Sequence, residues 1–214
     1  MKTKGVIFDL DGVIVSTDEL HYQAWQQMAD RENIVFNREV NHRLRGVSRM
    51  ESLEIILEKS EKKYTETEKL QLAEFKNNLY KELLNSISPK DTLPGSCALI
   101  SALKEAGVKV AIGSSSKNTP IILEKLQLTD WFDAVADGND IKNSKPDPEV
   151  FLVAATRLNL DPKDCVVVED ADAGVQAAKA AGMRCLAVGA AQNNPQADFQ
   201  AADLTTVTAE IFEN

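Results

Sequence analysis

Cysteine, basic charge and long hydrophobic runs are all scarce in this sequence of 214 residues. The 3 cysteines, Cys97, Cys165 and Cys185, are an odd number without CxxC spacing, which excludes a disulfide scaffold. Because two of them lie within apolar runs, we expect them to be reduced, buried and chemically inert. No apolar run approaches the roughly 20 residues that cross a bilayer, which excludes a transmembrane segment.

The shortage of positive charge limits the possible partners. The 24 Lys and Arg residues are outnumbered by 33 Asp and Glu residues, so the formal net charge is −9. Nucleic acid and membrane surfaces are polyanionic and would repel such a protein, so we expect neither as a partner. An anionic ligand must instead meet a local cluster of Lys and Arg. Because the first predicted strand begins almost at Met1, we expect no signal peptide and a cytoplasmic location. We also expect a monomer.

The remaining composition, 43% hydrophobic and 27% charged, is typical of a globular protein with one large domain or one domain plus an insertion. Four short apolar runs have the form of strands buried on both faces of a parallel sheet, at residues 4–9, 108–113, 165–168 and 184–189. Helical stretches alternate with them, with Pro near their starts or Gly after their ends, at residues 96–106, 118–126, 147–158 and 173–181. The pattern predicts an α/β fold with a doubly wound parallel sheet.

Residues 16–88 interrupt this alternation, because they carry helical signals and no buried strand. Ser16, Ser48 and Thr65 are each followed three residues later by Glu, the capping-box pattern of a helix start. The third of these helices has an apolar face at Leu72, Phe75, Leu79 and Leu83. We therefore predict a helical cap domain, residues 16–88, inserted into a core domain of residues 1–15 and 89–214. Such an insertion emerges at the carboxyl ends of the strands, where open α/β sheets bind ligands.

Carboxylates follow two of the predicted strands. Asp9 and Asp11 follow the first, and their spacing suits a nucleophile and a proton carrier, although a simple turn has the same composition. Glu169 and Asp170 follow another strand and would lie level with Asp9 if the two strands are neighbours. Four acids in one place require a cation, and hard oxygen ligands favour Mg²⁺. The alternative is a solvated acidic turn, and we expect Asp172 to be a helix N-cap rather than a ligand.

Two further loops carry hydroxyl and cationic groups. Residues 114–118 follow another predicted strand and precede a helix, so their hydroxyls, backbone N–H groups and Lys can either cradle a phosphate or cap the helix. Lys145 lies in a loop that Pro146 and Pro148 restrict, just before another helix. A lone lysine in such a loop is otherwise a solvated surface charge.

These segments, each at a predicted strand end, together resemble the haloacid dehalogenase superfamily of phosphoryl-transfer enzymes. The residues that carry the resemblance are Asp9, Asp11, Gly12, Ser114, Lys145, Pro146, Glu169 and Asp170. The resemblance implies that Asp9 attacks a phosphoryl group to give an aspartyl phosphate and that Asp11 acts as general acid and base. It also implies that Ser114 binds phosphate and Lys145 holds the nucleophile. The implied Mg²⁺ ligands are Asp9, the backbone carbonyl of Asp11, Glu169 and Asp170.

The predicted cap is similar to that of the β-phosphoglucomutase family, at positions that include Arg45, Ser48, Leu53 and Asn77. That family interconverts β-glucose 1-phosphate and glucose 6-phosphate through a bisphosphate that presents either phosphate to the nucleophile. The resemblance implies a small-molecule sugar phosphate substrate and a set of binding residues contributed by both predicted domains. These are Thr17, His21, Trp25, Gly46, Val47, Arg49, Ser52, Lys76, Ser115, Ser116, Lys117 and Asn118.

Arg49 is the implied anchor of the second phosphate, because a guanidinium binds phosphate bidentately, and Lys117 and Asn118 complete that subsite. His21 and Lys76 are implied to orient Asp11. Without the resemblance, Arg49 reads as a solvated charge in the first turn of a helix and His21 as part of an amphipathic face.

Two departures from the family pattern, Ser16 and Ala171, leave room for another aldose phosphate as substrate. Two other functions stay open. In a phosphatase of the same superfamily, water would accept the phosphoryl group. A noncatalytic phosphate-binding protein could retain the fold, although the loss of a core residue that would signal it is not seen.

Overall fold

Six short parallel strands form one sheet in the computed structural model, which describes residues 3–44 and 47–212. The strands are Gly5–Phe8 (β1), Lys109–Gly113 (β2), Ala134–Ala136 (β3), Cys165–Glu169 (β4), Arg184–Ala187 (β5) and Phe199–Gln200 (β6). Their order across the sheet is β3-β2-β1-β4-β5-β6. The order therefore reverses at β1, which lies between β2 and β4. In open α/β sheets, such a reversal opens a crevice at the carboxyl ends of the strands.

The described residues form α-helices in two groups, before and after position 88. The first group is Asp18–Arg31 (α1), Arg38–His42 (α2), Arg49–Leu57 (α3) and Glu66–Leu83 (α4). The second is Ser96–Glu105 (α5), Thr119–Lys125 (α6), Glu149–Leu158 (α7) and Asp172–Ala180 (α8). The chain divides into two compact units, one of Met1–Ser16 and Ser88–Asn214 and the other of Thr17–Ile87. No helix within the described ranges is long and apolar enough to cross a membrane.

The sheet is buried on both faces. Ile7 and Val167 pack with apolar residues of α7 and α8 in one cluster. Successive strand side chains point to opposite faces, and the alternate residues Phe8 and Val168 are also fully buried. A strand covered on both sides requires the continuous apolar runs seen in the sequence. The predicted doubly wound parallel α/β fold is confirmed.

Two strands were not predicted from the sequence, and both lie at edges of the sheet. Strand β3 has three residues, Ala-Val-Ala, and β6 has two. Runs this short fall below the length at which hydrophobic patterning identifies a strand.

Helix starts agree with the sequence at two of three predicted capping boxes. The side chains of Ser48 and Thr65 accept hydrogen bonds from the backbone N–H groups of Glu51 and Glu68. The carboxylates of these glutamates accept the backbone N–H groups of Ser48 and Thr65 in return, as predicted. The prediction for Ser16 is wrong, because α1 begins at Asp18 and its N-cap residue is Thr17. The prediction for Asp172 is also wrong, because Asp172 is the first residue of α8 rather than its N-cap.

The buried face of α4 differs from the predicted one. Its buried residues are Leu72, Ala73, Lys76 and Tyr80, whereas Phe75, Leu79 and Leu83 are only partly buried. Two side chains with polar groups, Lys76 and Tyr80, therefore belong to the buried face, although neither was part of the predicted apolar face.

The three cysteines are unpaired, and two of them are buried as predicted. Burial raises the pKa of the Cys165 thiol to about 11 and that of the Cys185 thiol to about 12. Because the thiolate is the reactive form, these two residues are chemically inert. Cys97 departs from the prediction, because it is only partly buried.

Candidate active site

Three carboxylates converge at the carboxyl ends of β1 and β4. The strands pair with Phe8 opposite Val168, and the Asp9 N–H donates to the Val168 carbonyl at 2.9 Å. This register places the side chains of Asp9, Glu169 and Asp170 together, with one carboxylate oxygen of each within 4.8 Å of the others. The sequence predicted this meeting on the condition that the two strands are neighbours, and they are.

A buried lysine binds two of these acids. The Lys145 Nζ lies 2.5 Å from Asp9 Oδ1 and 2.8 Å from Glu169 Oε2. Burial alone would lower the pKa of the Lys145 ammonium, but the attraction of Asp9 and Glu169 outweighs burial and raises that pKa. The ammonium also lies 4.6 Å from the centroid of the Phe151 ring. Lys145 is therefore a fixed positive charge, not the solvated surface lysine of the alternative interpretation.

The acidic cluster has the properties of a divalent-cation site. Burial, and then repulsion from the other carboxylates, raises the pKa of Asp170 to about 8. Burial also raises the pKa of Glu169 to about 7, although Lys145 opposes the shift. When all three carboxylates are ionised they outnumber the one ammonium, and a hard cation with oxygen ligands would compensate the excess negative charge that raises these pKa values. The donor set therefore fits a divalent metal.

Two glycines give these carboxylates their space. Gly12 has φ +83, and a Cβ there would lie 2.1 Å from Asp170 Oδ2. A Cβ on Gly174, in the first turn of α8, would lie 1.9 Å from Glu169 Oε2. Gly174 was not identified from the sequence. A glycine inside a predicted helix, which costs about 1 kcal/mol relative to alanine, was the available signal.

Asp11 lies beside the acidic cluster, where its charge contributes to the raised pKa of Asp170. Its side chain is half-buried and does not belong to the group of three carboxylates. The ligand role of its backbone carbonyl stays a prediction.

The candidate phosphate loop, residues 114–118, follows β2 at the same edge of the sheet. The hydroxyl oxygens of Ser114 and Ser116 each accept the backbone N–H two residues later, both at 3.2 Å. Ser115 Oγ accepts the Lys145 N–H at 3.4 Å, which joins this loop to the loop that presents the buried lysine. Lys117 is exposed and Asn118 is buried.

A second polar cluster lies within the unit of residues 17–87. The Lys76 ammonium is 2.8 Å from His21 Nδ1 and lies 4.7 Å and 4.8 Å from the ring centroids of Trp25 and Tyr80. The Tyr80 ring stacks on His21 with centroids 4.0 Å apart, and its hydroxyl is 2.8 Å from Thr17 Oγ1. Four of the predicted binding residues, Thr17, His21, Trp25 and Lys76, thus meet in one buried cluster.

Tyr80 joins these four residues and was missed by the sequence analysis. It lies four residues after Lys76 on α4, and this spacing places two side chains on one helix face. That spacing was the signal that could have identified it.

The surroundings of His21 favour its neutral form. Burial, followed by the positive charges of Lys76 and Arg49, lowers its pKa well below the usual 6.5. Lys76 can only donate, so Nδ1 of His21 accepts and its proton is on Nε2.

The remaining predicted residues of this unit lie at the start of α3. Arg49 is the first residue of α3 and is half-buried, and this burial lowers the pKa of its guanidinium. Ser52 is buried one turn later, and Val47 packs against the apolar core of the unit. Gly46 lies outside the described residues. Arg49 is therefore close enough to His21 for its charge to lower the pKa of His21. Val47, which was also predicted as a binding residue, packs against the apolar core.

Comparison with known proteins identifies the family. A family model described as haloacid dehalogenase-like hydrolase matches residues 3–182, which is most of the chain. The chain belongs to the haloacid dehalogenase-like hydrolase family. Membership in this family implies a divalent metal, for which the acidic cluster offers ligands.

Relatives of this haloacid dehalogenase-like hydrolase include mutases and phosphatases. It is 44% identical to a β-phosphoglucomutase of Bacillus subtilis, over 98% of this chain and 93% of the relative. It is 33% identical to a phosphorylated carbohydrates phosphatase of Thermotoga maritima, over 99% and 97%. A crystal structure of β-phosphoglucomutase from Clostridium difficile matches with a TM-score of 0.92 and 40% identity, over 98% of this chain and 95% of that one. The chain is therefore an enzyme whose similarity supports phosphomutase activity, with phosphatase activity as the alternative.

Proposed function

We propose that the protein is a β-phosphoglucomutase, which interconverts β-D-glucose 1-phosphate and glucose 6-phosphate through a bisphosphate intermediate. One observation carries this proposal. The 44% identity to a β-phosphoglucomutase extends over 98% of the chain and therefore includes residues 17–87, which hold the His21 and Lys76 cluster. In this proposal, residues 16–88 are the cap domain and residues 1–15 with 89–214 are the core domain.

The chemistry begins at Asp9. A carboxylate oxygen of Asp9 attacks the phosphorus, the bond from phosphorus to the sugar oxygen breaks, and an aspartyl phosphate forms. Asp11 gives a proton to the leaving sugar oxygen and later removes one from the accepting hydroxyl. Lys145, at 2.5 Å from Asp9 Oδ1, orients the nucleophile, and together with Ser114 it offers donors to the phosphoryl oxygens.

The metal of this proposal is Mg²⁺. Asp9, Glu169, Asp170 and the backbone carbonyl of Asp11 would hold it, since all four offer oxygen ligands at one edge of the sheet. When bound, Mg²⁺ supplies positive charge that stabilises the transferring phosphoryl group.

The second phosphate needs its own subsite. We assign it to Arg49, Lys117 and Asn118, with Ser115 and Ser116 from the same loop as Lys117. Arg49 is half-buried, so its guanidinium is partly desolvated and binds an anion more strongly than an exposed one. Sugar contacts are assigned to Thr17, Trp25, Gly46, Val47 and Ser52. The His21 and Lys76 pair is assigned to the orientation of Asp11.

We further propose that the protein works as a cytoplasmic monomer on a small sugar phosphate, with neither nucleic acid nor membrane as partner. The net charge of −9 supports this view, because both of those surfaces are polyanionic.

The test is incubation of the protein with Mg²⁺, β-glucose 1-phosphate and a trace of glucose 1,6-bisphosphate. The expected result is glucose 6-phosphate in excess over free phosphate, and Asp9→Asn should abolish it. Asp9→Asn should also form no phosphoenzyme by mass spectrometry, because an amide is not a nucleophile. Free phosphate as the main product would instead favour a sugar-phosphate phosphatase, the second candidate, which the 33% identity to a carbohydrate phosphatase supports.

A further inference from the structure

A turn after β3 holds the backbone of the candidate phosphate loop. We name this turn, residues 137–140, the β3 turn. The Gly138 N–H donates to the Ser116 carbonyl at 3.2 Å, and Asn139 Nδ2 donates to the Lys117 carbonyl at 3.1 Å. Two consecutive carbonyls of the loop are thus bound from one side. Because a trans peptide unit is planar, holding the Ser116 carbonyl also fixes the direction of the Lys117 N–H.

Gly138 lies against the phosphate loop more closely than any side chain would allow. A Cβ at this position would lie 2.3 Å from the Ser115 carbonyl oxygen and 2.9 Å from both the Lys117 nitrogen and Cγ. The φ angle of Gly138 is outside the left-handed region, so close contact rather than backbone conformation requires the glycine. The stem of Lys117 passes over this glycine, which limits the directions that its ammonium group can take.

The β3 turn is itself fixed to a core helix. The Asp140 carboxylate accepts two bonds from Arg157 of α7, at 2.6 Å and 2.7 Å, and one from the Asp137 N–H at 2.9 Å. The Asp137 carboxylate accepts the Asn139 N–H at 2.7 Å. A bidentate pair between a guanidinium and a carboxylate has a defined geometry. The phosphate loop is therefore held in place from α7 through this turn.

Ser114 is held in a different way. Its N–H donates to the Ala136 carbonyl at 3.1 Å, which continues the pairing of β2 with β3. The first residue of the loop thus pairs with the sheet, whereas the β3 turn binds the Lys117 carbonyl and shares the Ser116 carbonyl with the Thr119 hydroxyl, which donates to it at 2.8 Å.

We propose that Gly138 and Asn139 are positioning residues for the second, non-reacting phosphate of the substrate and act through Ser116 and Lys117. This inference rests on the proposed function, since only a bisphosphate places an anion at Lys117 while another reacts at Asp9. Loss of the contacts between the β3 turn and the phosphate loop weakens binding of the second phosphate. It does not affect phosphoryl transfer from a donor that carries a single phosphate.

The experiment compares Asn139→Ala and Gly138→Ala with the wild type. Asn139→Ala removes the donor to the Lys117 carbonyl and adds no charge beside the phosphate subsite. Asn194→Ala is the matched control. It also removes an asparagine side chain whose amide donates a hydrogen bond, here to Asp172 at 2.7 Å, and it lies in the same compact unit as Asn139. Two probes are used. Reaction with glucose 1,6-bisphosphate is measured as phosphoenzyme formation, and reaction with p-nitrophenyl phosphate, which carries one phosphate, is measured as release of p-nitrophenol.

For Asn139→Ala we expect KM for the bisphosphate to rise about fivefold, the effect of one lost hydrogen bond. Gly138→Ala should raise it about tenfold or more, because backbone atoms have to move. The kcat/KM for p-nitrophenyl phosphate should not change, and Asn194→Ala should match the wild type for both probes. Equal losses for both probes, or no loss for either, would overturn the proposal.

Backbone NMR separates failure of this inference from failure of the proposed function. If the wild type does not react with the bisphosphate, the proposed function is wrong. The positioning role is then judged by titration with inorganic phosphate, followed at the amide resonances of residues 115–118. Weaker phosphate-induced shifts in Asn139→Ala than in Asn194→Ala support positioning, and equal shifts contradict it.

Discussion

Lys145→Met would remove the only positive charge in contact with Asp9 and Glu169 among the described residues, while keeping most of the side-chain volume. Breaking a buried ion pair by removing one partner costs about 3–5 kcal/mol, because the other charge stays buried without compensation. We expect a loss of this size in the free energy of unfolding of the metal-free protein at pH 8. Lys142→Met is the control, because Lys142 is exposed in the same loop and exposed substitutions usually stay within about 0.5 kcal/mol.

The loss should depend on pH. The folded-state pKa values of Glu169 and Asp170, about 7 and about 8, lie above the unfolded values. The folded protein therefore binds more protons between about pH 4 and 8, and its stability falls as pH rises through that window. Protonation of Glu169 and Asp170 removes the repulsion between carboxylates that Lys145 otherwise balances. The difference in free energy of unfolding between Lys145→Met and the wild type should therefore become smaller from pH 8 to pH 5.

Urea unfolding of both proteins at pH 5, 6.5 and 8, with chelator present, measures this effect. Saturating Mg²⁺ should restore part of the lost stability at pH 8, by about 2.7 kcal/mol at a concentration 100 times its dissociation constant. A difference below about 0.5 kcal/mol at pH 8, within the range of surface substitutions, would refute the reasoning. A difference that does not change with pH would refute it as well.

Three further substitutions or titrations test the other groups. Asp11→Ala should keep metal affinity, because its carbonyl remains, but slow turnover by about 10²–10⁴-fold, and wild-type turnover would exclude the acid–base role. Arg49→Ala should raise KM about tenfold to hundredfold and increase the ratio of free phosphate to mutase product, since a charged hydrogen bond contributes about 1.5–3 kcal/mol. An unchanged ratio would remove Arg49 from the second-phosphate subsite. The NMR signals of His21 should stay at their neutral positions as pH falls through 6.5, because burial and the Lys76 and Arg49 charges lower its pKa. A midpoint near 6.5, as in a denatured chain, would contradict this.

The sheet and its acidic edge could be predicted because their signals are local. Strands β1 and β4 are continuous apolar runs, and each ends in an acid, so Asp9 and Glu169 needed only the neighbour relation to meet. The contacts of Lys145 with both acids join residues far apart in the chain, and the resemblance, not the local sequence, implied one of them. Edge strand β6, with two residues, has too little pattern to be recognised.

Hydrophobic patterning does not identify the cluster around Tyr80, because most of its members carry polar groups. The resemblance implied four of them, Thr17, His21, Trp25 and Lys76, and did not include Tyr80. Hydrophobic periodicity predicted an apolar face of α4 at Leu72, Phe75, Leu79 and Leu83, and only the family resemblance pointed to Lys76. In the structure Lys76 and Tyr80 are buried, and each compensates for burial through bonds and ring contacts with the other members of the cluster. Hydrophobic patterning predicts cores that are stabilised by apolar contacts alone. The cluster around Tyr80 is stabilised by hydrogen bonds and ring contacts as well.

The central place of β1 in the sheet has a consequence for biosynthesis. Gly5 pairs with Lys109 on one side and with Cys165 on the other, so β1, which leads into Asp9, leaves the ribosome long before either neighbouring strand exists. Contacts this distant in sequence slow folding, because the intervening chain has to be ordered first. The helices between residues 17 and 87 belong to one unit that is contiguous in sequence, so their contacts with one another can form before β2 and β4 are synthesised. A nascent chain that ends before β4 therefore has Asp9 but neither of the acids that lie beside it, so the acidic cluster can form only after β4 has been synthesised.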